Sequence, residues 1–558
     1  MVFKSSNNPM FRNELSETIF QNKYRHEGAE TWGNLARTLV SDVDPDGKLK
    51  QDEKELLIQY ITDMKFLPGG RYLYYAGRPT RFYNNCYLLR SEEDTREDWA
   101  SLSWKAESCL TTGGGIGNDY SVYRGEGSLL RRTGGLASGP ISKMEMVNEI
   151  GRKVMQGGSR RSAIYASLSV DHPDVYKFLK AKDWHNIAVP GVPNTSLWDL
   201  KNRDFNWPAP LDMTNISVNY NTNWLLNYYK TGDYGDVFLK NVEQALSTGE
   251  PGFSFNFFDK ENETLRNACT EVTSSDDSDV CNLGSINLSR ISDIRELPSI
   301  VCLATKFLLL GTLRAHLPYQ KVYDVREKNR RLGLGLMGVH EWLVQRGHRY
   351  EVVPELHQWL SIWRGVSDDI SRSFSNELSI STPVANRAVA PTGTIGMLAG
   401  TTTGIEPVYA VAYKRRYLVN GKTWKYQYYI DHAAQDLIDR YATDPDSIES
   451  STNLAEDYER RIKFQADVQD YTDMSISSTI NLPAKETQSF SSKDFAHTLA
   501  TYAPRLRGFT CYPDGARGGQ PLSLVPYYEA KLKLGQEFEE GLEYNDVCDI
   551  TGGGYCGT

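Results

Sequence analysis

The spacing of hydrophobic and polar positions changes several times along this chain of 558 residues. Residues 52–66 carry apolar side chains at helical spacing, and Pro68-Gly69-Gly70 ends that pattern. From about residue 76 to 290, short apolar runs alternate with glycine-rich turns. This arrangement predicts an N-terminal helical region over residues 1–75, followed by an α/β domain whose length favours a barrel.

The same spacing predicts individual elements farther along. Strands are predicted at residues 81–89, 215–219, 329–338, 478–483 and 508–515, and helices at residues 234–247 and 300–317. Residues 183–214 contain four prolines and little periodicity, which indicates a long irregular loop of the kind that is more often functional. The polar residues 438–465 are predicted to form a peripheral insertion or a helix.

Residues 267–288 are the stretch with the most distinctive chemistry. Asn267, Cys269 and Glu271 occupy every second position, and in an extended segment alternate side chains point to one face. An amide, a thiol and a potential base would then project together, and Cys281 opens an apolar run soon afterwards. The alternative is a buried structural cysteine beside a surface loop, which is the commoner setting of an isolated Cys-x-Glu sequence.

Composition narrows the class of protein. Hydrophobic residues make up 40% of the chain, and 62 basic against 71 acidic residues give a net charge of −9. This balance argues against a protein that coats nucleic acid. Neither a membrane-spanning apolar run nor a signal peptide is recognisable, so a cytoplasmic location is expected. None of the eight cysteines forms a Cys-x-x-Cys pair, and we expect no structural metal site.

Glycine-rich segments are candidates for binding anions. Residues 111–118 form a glycine-rich loop that matches neither the dinucleotide fingerprint nor a Walker-type loop. Adjacent arginines at 131–132 and 160–161 suit phosphate or carboxylate, although a solvated surface pair is the commoner outcome. Residues 390–396 resemble an anion nest, with a plain Thr/Gly turn as an equally good interpretation. The Glu-rich end of the chain carries Cys548 and Cys556, which predicts a mobile dithiol tail.

Six motifs together resemble the catalytic chain of ribonucleotide reductase, over roughly residues 80–520 and the tail. They are Asn-x-Cys-x-Glu at 267–271, Cys-Asn-Leu-Gly-Ser-Ile-Asn-Leu at 281–288, Gly-Gly-Gly-Ile-Gly at 113–117, Gly-Gly-x-Arg-Arg at 157–161, Arg-Arg-Leu-Gly-Leu-Gly-x-Met-Gly at 330–338 and Ala-Pro-Thr-Gly-Thr-Ile at 390–395. The resemblance implies a ten-stranded α/β barrel with a central finger loop over residues 76–528. It also implies a flexible redox tail over residues 529–558.

The resemblance assigns roles to the cysteines and their neighbours. Cys269 would be the thiyl radical, Glu271 the general base, and Asn267 a residue that holds the substrate. Cys86 and Cys281 would be the reducing pair that ends as a disulfide. Cys548 and Cys556 would shuttle electrons from a thioredoxin- or glutaredoxin-like reductant, although their Cys-x7-Cys spacing is wider than the usual family tail.

Further residues follow from the same comparison. The ribonucleotide would be bound by Asn85, Gly114, Gly115, Pro391, Thr392, Gly393, Thr394 and Ile395. A dNTP or ATP specificity effector would bind near Asp94 and Thr95, with residues 183–214 nearby. A homodimer is possible, and no N-terminal ATP-binding cone is recognisable, so overall-activity regulation is expected to be absent.

Residues 508–517 indicate the radical source. They resemble the pattern of the adenosylcobalamin-dependent class II enzymes, because the first tyrosine of the class I dyad is missing. Tyr527-Tyr528 offers a dyad later, in a context that does not match. A class I large subunit that needs a separate metal-radical subunit is the runner-up. A nucleotide-binding regulatory protein with an inactive Cys269 is a third interpretation, and di- and triphosphate substrates both stay open.

Overall fold

The computed structural model describes residues 10–132, 134–154, 162–204, 207–419, 423–516 and 522–539. Its α-helices are α1 (Glu14–Ile19), α2 (Trp32–Val43), α3 (Gln51–Thr62), α4 (Gly70–Tyr75), α5 (Arg96–Thr111), α6 (Gly139–Lys153), α7 (Val175–Leu179), α8 (Leu197–Arg203), α9 (Thr222–Thr231), α10 (Asp236–Thr248), α11 (Leu297–Arg314), α12 (Gln320–Asn329), α13 (Val339–Gln345), α14 (Pro354–Leu378), α15 (Gly393–Ala399), α16 (His432–Tyr441), α17 (Tyr458–Gln469), α18 (Ser492–Tyr502) and α19 (Tyr527–Lys533). Its β-strands are β1 (Phe66–Pro68), β2 (Cys86–Arg90), β3 (Gly115–Asp119), β4 (Ile164–Ser169), β5 (Thr214–Tyr220), β6 (Gly252–Phe255), β7 (Leu265–Arg266), β8 (Thr273–Ser274), β9 (Asp279–Asn287), β10 (Leu332–Met337), β11 (Ala412–Val419), β12 (Thr423–Ile430), β13 (Thr479–Leu482), β14 (Gly508–Pro513), β15 (Leu522–Leu524) and β16 (Glu537–Glu539).

The main sheet consists of two parallel sets of strands that run in opposite directions. Strands β2 to β6 pair in chain order and are all parallel. Strand β9 pairs with β10 in parallel, and β13 pairs with β14 in parallel. The two sets meet where β9 runs antiparallel to β2 and where β14 runs antiparallel to β6. Helices connect the parallel strands, as parallel crossovers require.

Residues 385–390 close this sheet into a barrel. On one side, the N–H groups of Leu332 and Leu334 donate to the carbonyls of Ala385 and Asn386 at 3.0 Å. On the other side, Val389 donates to the Ser475 carbonyl at 3.2 Å, just ahead of β13. The ring therefore contains nine strands of the main sheet and this tenth segment, while β1 lies alongside β9. The predicted ten-stranded α/β barrel is confirmed.

The barrel interior has its own small apolar cluster. It is formed by Cys86, Leu88, Leu265, Val272, Cys281, Leu283, Ala385, Ala388, Ala390 and Met474. The much larger core lies between the outside of the barrel and its helices. Helix α11 belongs to that outer core: residues Ile294–Arg314 are long and apolar enough to cross a membrane, but 67% of that window is buried in the protein.

A four-stranded antiparallel sheet stands apart from the barrel, in the order β15-β11-β12-β16. Helix α19 packs on it through Tyr527 and Ala530, which join a small apolar cluster with Ala412, Tyr428 and Ile430. The first part of the predicted tail, residues 529–539, is therefore folded into α19 and β16. The rest of the tail lies outside the described residues.

Several predicted elements are confirmed, namely the strands at 215–219, 478–483 and 508–515 and the helices at 234–247 and 300–317. Two predictions were wrong in extent. The helix expected over residues 52–66 ends at Thr62, because Met64 adopts a left-handed backbone (φ 57°) and β1 follows. The loop expected over residues 183–214 contains α8, which Ser196 caps through its side chain.

Candidate active site

Residues 265–274 form a hairpin inside the barrel, and its tip carries the candidate radical cysteine. Strands β7 and β8 pair antiparallel, with Arg266 opposite Thr273. Between them, Thr270 has a left-handed backbone (φ 71°), and its N–H donates to the Asn267 carbonyl at 2.9 Å. The extended alternation expected for residues 267–271 is therefore wrong, because the segment turns back on itself within the barrel.

Because of this turn, the side chains of Asn267, Cys269 and Glu271 differ in their exposure to solvent. Asn267 and Glu271 are each 1% exposed, whereas Cys269 is exposed at the tip. The Asn267 amide Nδ2 donates to Glu271 Oε2 at 2.8 Å and to the Cys86 sulfur at 3.0 Å. Its Oδ1 accepts from the Val272 N–H at 2.9 Å. Asn267 thus joins the potential base to a candidate reducing thiol, and it also braces the turn.

Cys86 and Cys281 face each other across two neighbouring strands. They are direct partners in the antiparallel pairing of β2 with β9, although they are 195 positions apart in the chain. Opposite residues in such a pair have Cα atoms about 4.5–5.5 Å apart, which is within the disulfide range of about 4.4–6.8 Å. Both thiols are free and buried. The arrangement therefore suits a pair that cycles between dithiol and disulfide.

Burial sets the ionisation of these groups. It raises the pKa of Cys86 well above its ordinary value, and nearby Glu271 acts in the same direction. Burial and the Asp279 carboxylate likewise raise the pKa of Cys281. Burial raises the pKa of Glu271 to about 7, against the opposing hydrogen bond from Asn267. The thiols are thus held protonated, and the carboxyl is poised to exchange a proton near neutral pH.

Two glycines make room for the hairpin and the thiols. A Cβ on Gly117 of β3 would lie 1.7 Å from the Arg266 carbonyl oxygen, so only glycine lets the hairpin lie this close. A Cβ on Gly333 of β10 would lie 3.1 Å from the Cys281 sulfur. The glycine-rich motifs of the sequence therefore shape the barrel interior.

The predicted substrate-binding residues lie around the pair of thiols. Gly115 is the strand partner of Cys86 on the side away from Cys281, and its N–H donates to the Asn85 carbonyl at 2.8 Å. Gly114 packs on the Tyr87 ring, which leaves no room for a Cβ. The buried Asn85 Oδ1 has no hydrogen-bond partner in the described part of the chain. That oxygen is available to a ligand.

Residues 390–396 are a helix start rather than a plain turn. Thr392 has a left-handed backbone (φ 49°), and α15 begins at Gly393. The Thr392 hydroxyl accepts from the Gly404 N–H at 2.8 Å, which fixes the approach to the helix. Pro391 and Gly393 are exposed, Thr394 is half-buried, and Ile395 is buried. The first N–H groups of a helix have no partner within the helix, so they suit phosphate.

Comparison with protein families agrees with this geometry. The model of the family "Ribonucleotide reductase, barrel domain" matches residues 84–206, 211–356 and 384–503, which is well over half of the chain. The chain belongs to the ribonucleotide reductase family.

Individual relatives of this reductase carry more specific names. A vitamin B12-dependent ribonucleoside-diphosphate reductase of Mycobacterium tuberculosis is 27% identical, over 86% of this chain and 73% of the relative. A putative adenosylcobalamin-dependent ribonucleoside-triphosphate reductase of Mycobacterium phage D29 is 25% identical, over 77% of this chain and 71% of the relative. Among solved structures, the Actinobacillus ureae class Id ribonucleotide reductase alpha subunit has a TM-score of 0.70 at 15% identity. That match covers 90% of this chain and 97% of the other, and it supports the fold alone.

The other predicted residues of the reductase lie elsewhere in the described structure or outside it. Asp94 accepts from Arg124 Nε at 2.5 Å, and Thr95 caps the start of α5. Tyr527 and Tyr528 lie on α19 of the separate four-stranded sheet, where Tyr528 is exposed. Cys548, Cys556 and the arginines at 160–161 lie outside the described residues. Among the described residues, no group of three or more His, Cys, Asp or Glu side chains is placed to hold a metal ion.

Sequence reasoning missed a buried network of charged side chains at the base of the hairpin. Asp279 accepts from Arg331, which directly precedes β10, and Glu263 accepts from Arg507, which directly precedes β14. Burial would raise the pKa of Glu263, but Arg507 and Arg331 lower it to about 2. The only signal in the sequence was that Asp279 stands two positions before Cys281, on the same face of its strand.

Proposed function

We propose that this chain reduces ribonucleotides to 2′-deoxyribonucleotides by a thiyl-radical mechanism, with adenosylcobalamin as the radical generator. The single observation that carries the proposal is the direct pairing of Cys86 with Cys281 beside the hairpin that presents Cys269. A two-electron reduction needs such a pair, and a radical thiol needs a base within reach.

Three hairpin residues act on the sugar of the substrate. Cys269, as a thiyl radical, takes the hydrogen atom from C3′ and returns it at the end of the reaction. Glu271 accepts the proton of the 3′-hydroxyl, and its pKa of about 7 suits transfer in both directions. Asn267 holds the sugar through hydrogen bonds and keeps the base next to the reducing thiol.

The thiol pair carries out the reduction itself. One thiol gives its proton to the departing 2′-hydroxyl, which leaves as water, and the raised pKa of Cys86 keeps that proton in place. The two thiols together supply two electrons and two protons, of which the second proton goes to C2′. The two sulfurs finish joined by a disulfide bond, which thiol exchange must reduce before the next turnover.

The exposed thiol of Cys269 fits a bulky radical generator that approaches from outside. Adenosylcobalamin, when bound, supplies homolytic radical chemistry. The polar groups beside the tip are Thr270 and Asn215, whose amide donates to the Ala268 carbonyl at 3.0 Å. These two side chains would contact the cofactor. On the other flank, Gly508 of β14 offers no side chain to block the approach, and a Cβ there would lie 3.5 Å from the Thr270 hydroxyl.

The substrate phosphates would bind at the start of α15, at Pro391, Thr392, Gly393, Thr394 and Ile395, with the sugar near Asn85, Gly114 and Gly115. The Asn85 oxygen, which has no partner among the described residues, and the N-terminal position of these residues on α15 support this orientation. The printed names of the relatives include both a diphosphate and a triphosphate reductase. The phosphorylation level of the substrate therefore has to be measured.

The remaining parts of the assignment concern partners and regulation. We propose that Cys548 and Cys556 pass electrons from a thioredoxin- or glutaredoxin-like protein to the barrel pair. Strand β16 ends at Glu539 and Cys548 comes nine residues later, and a segment of that length can span at most roughly 30 Å, at about 3.3 Å per residue. We also propose that a dNTP or ATP effector binds near Asp94 and Thr95 and that the chain forms a homodimer. Its proposed location is cytoplasmic, with no nucleic-acid or membrane partner. The proposed domain division of the chain is a helical region over residues 1–75, a barrel domain over residues 76–528, and the tail.

The direct test is a reductase assay with a small dithiol, with and without adenosylcobalamin, on the four ribonucleotides as di- and triphosphates. We expect deoxynucleotide only with the cofactor, at one phosphorylation level, and none from Cys269→Ser. If no nucleotide is reduced with the cofactor, the proposal is wrong. Product that appears only with a separate metal-radical subunit would instead favour the class I interpretation.

A further inference from the structure

The base of the hairpin is tied to the Cys281 strand by one buried chain of charges. Glu263, two residues before the hairpin, accepts from Thr273 of β8 at 2.9 Å and from Arg507 Nη2 at 3.0 Å. Asp279, at the start of β9, accepts from Ser274 of β8 at 2.6 Å. Both carboxylates therefore hold β8, the second strand of the hairpin, at its two neighbouring residues Thr273 and Ser274.

Arg331 lies between these two carboxylates. Its Nε donates to Asp279 Oδ2 at 2.7 Å, and its Nη2 lies 3.8 Å from Glu263 Oε1. The side chain is 5% exposed, and Asp279 is fully buried. A guanidinium presents several N–H groups in a fixed fork, so it can engage two carboxylates at a defined separation, which a lysine ammonium cannot do as rigidly.

Arg331 directly precedes β10, and this position links it to the reducing pair as well. It stands two residues before Gly333, whose missing side chain leaves room for the Cys281 sulfur. Asp279 likewise stands two residues before Cys281 on β9. Burial raises the pKa of the Cys281 thiol, the Asp279 carboxylate raises it further, and the Arg331 charge opposes this rise. Arg331 therefore interacts with both carboxylates that hold the hairpin, and its positive charge balances the Asp279 charge beside the Cys281 thiol.

We propose that Arg331 is a positioning residue of this reductase, which fixes the hairpin relative to Cys281 by bridging Glu263 and Asp279. Cys269 must reach C3′ while Cys281 and Cys86 reach C2′, so the two elements have to keep one spacing through the cycle. A shift of about 1 Å in such a spacing can cost about 10²-fold in rate. This inference rests on the proposed function and adds a residue to it.

The test compares Arg331→Met and Arg331→Lys with a matched control, Arg387→Met. Arg387 is equally buried and also bridges two carboxylates, Asp368 at 2.5 Å and Asp473 at 2.8 Å, but its side chain faces α14, away from the hairpin. Each variant is assayed for deoxynucleotide formation, and the rate is normalised to the folded fraction measured by thermal melting in the same buffer.

For Arg331→Met we expect kcat to fall about 10²-fold with KM within about threefold, because the phosphate site is untouched. Arg331→Lys should recover part of that loss, and Arg387→Met should keep the kcat of the wild type after normalisation. A merely structural role would lower the folded fraction without this separation of kcat from KM. Equal normalised kcat values for Arg331→Met and Arg387→Met would overturn the inference.

Two further outcomes are distinguishable. If Arg331→Met does not fold, Arg331→Lys and Arg387→Lys decide the matter. We then expect a reduced kcat only in Arg331→Lys, and equal values would overturn the inference. If the wild-type chain itself forms no deoxynucleotide with adenosylcobalamin, the proposed function fails and the inference fails with it. An active wild type with an unaffected Arg331→Met would contradict the positioning role alone.

Discussion

Glu271 is the residue whose protonation state decides whether the site can start a turnover. Burial raises its pKa to about 7, so below that pH the carboxyl is neutral and cannot accept the 3′-hydroxyl proton. We therefore expect kcat/KM to fall about tenfold per pH unit below pH 7. A rate profile from pH 5.5 to 8.5 measures this limb, and a limb near pH 4.5 would contradict the assignment.

The same residue makes a prediction about stability. Because the folded-state pKa of Glu271 lies above its unfolded value of 4.5, the native protein holds the proton more tightly. The contribution of Glu271 to the free energy of unfolding is complete below pH 4.5. It falls by about 3 kcal/mol as the pH rises through 7. Glu271→Gln should therefore melt at the same temperature as wild type at pH 4 and at a higher temperature at pH 8, while losing activity. Equal melting temperatures of wild type and Glu271→Gln at pH 8 would contradict a carboxylate whose charged form is destabilised by burial.

Cys86 and Cys281 are predicted to act only as a pair. Replacing either one with serine removes one of the two sulfurs of the disulfide, so multiple turnover should be lost while the fold is kept, because serine is nearly isosteric. Cys302, a free cysteine on α11, offers a control. Cys302→Ser should retain the wild-type rate. A serine variant of Cys86 or Cys281 with more than a tenth of that rate would exclude the pair as reductant.

At the scale of the element, the hairpin depends on the absence of a side chain at Gly117. A methyl group there would overlap the Arg266 carbonyl, so Gly117→Ala must push the hairpin away from β3. We expect a loss of stability of about 1–3 kcal/mol and a fall in kcat. Gly365 of α14 has open space around it, and Gly365→Ala should be neutral or stabilising by up to about 1 kcal/mol. Denaturant unfolding of both variants tests this contrast.

The elements that sequence predicted best are those fixed by local pattern. Strand β5 and helix α10 were expected within two residues of their ends, because apolar spacing and turn residues act over short range. The family resemblance predicted a finger loop inside the barrel, but the turn at Thr270 was not foreseen, since it depends on hydrogen bonds that the oxygens of Asn267 accept. The charge network was missed because its partners lie far apart in the chain: 52 residues separate Arg331 from Asp279, and 244 separate Arg507 from Glu263.

At the scale of the whole molecule, two opposed sets of parallel strands bring distant residues to one site. Cys86 comes from the first set and Cys281 from the second, and they meet only because β2 borders β9. The hairpin then enters the barrel between both sets. The family resemblance supplied these roles from six motifs, whereas no local pattern pairs residue 86 with residue 281.

The proposed tail gives a stoichiometric prediction for the whole chain. A fully reduced protein without external reductant holds the barrel pair and the Cys548/Cys556 pair, so it should form about two deoxynucleotides per chain. Cys548→Ser/Cys556→Ser should form about one, because each disulfide accounts for one two-electron reduction. Product counts from rapid-quench samples measure the difference. Equal product counts from the wild type and the double variant would exclude a shuttle role for the tail.

In the proposed mechanism, Cys269 and the Cys86–Cys281 pair reduce a ribonucleotide when adenosylcobalamin is bound. The most direct measurement is the yield of deoxynucleotide and of the Cys86–Cys281 disulfide in a single turnover of the pre-reduced Cys548→Ser/Cys556→Ser chain. With adenosylcobalamin we expect one product and one such disulfide per chain, and with Cys269→Ser in the same background neither. Product without the disulfide, or no product with the cofactor, would contradict the account.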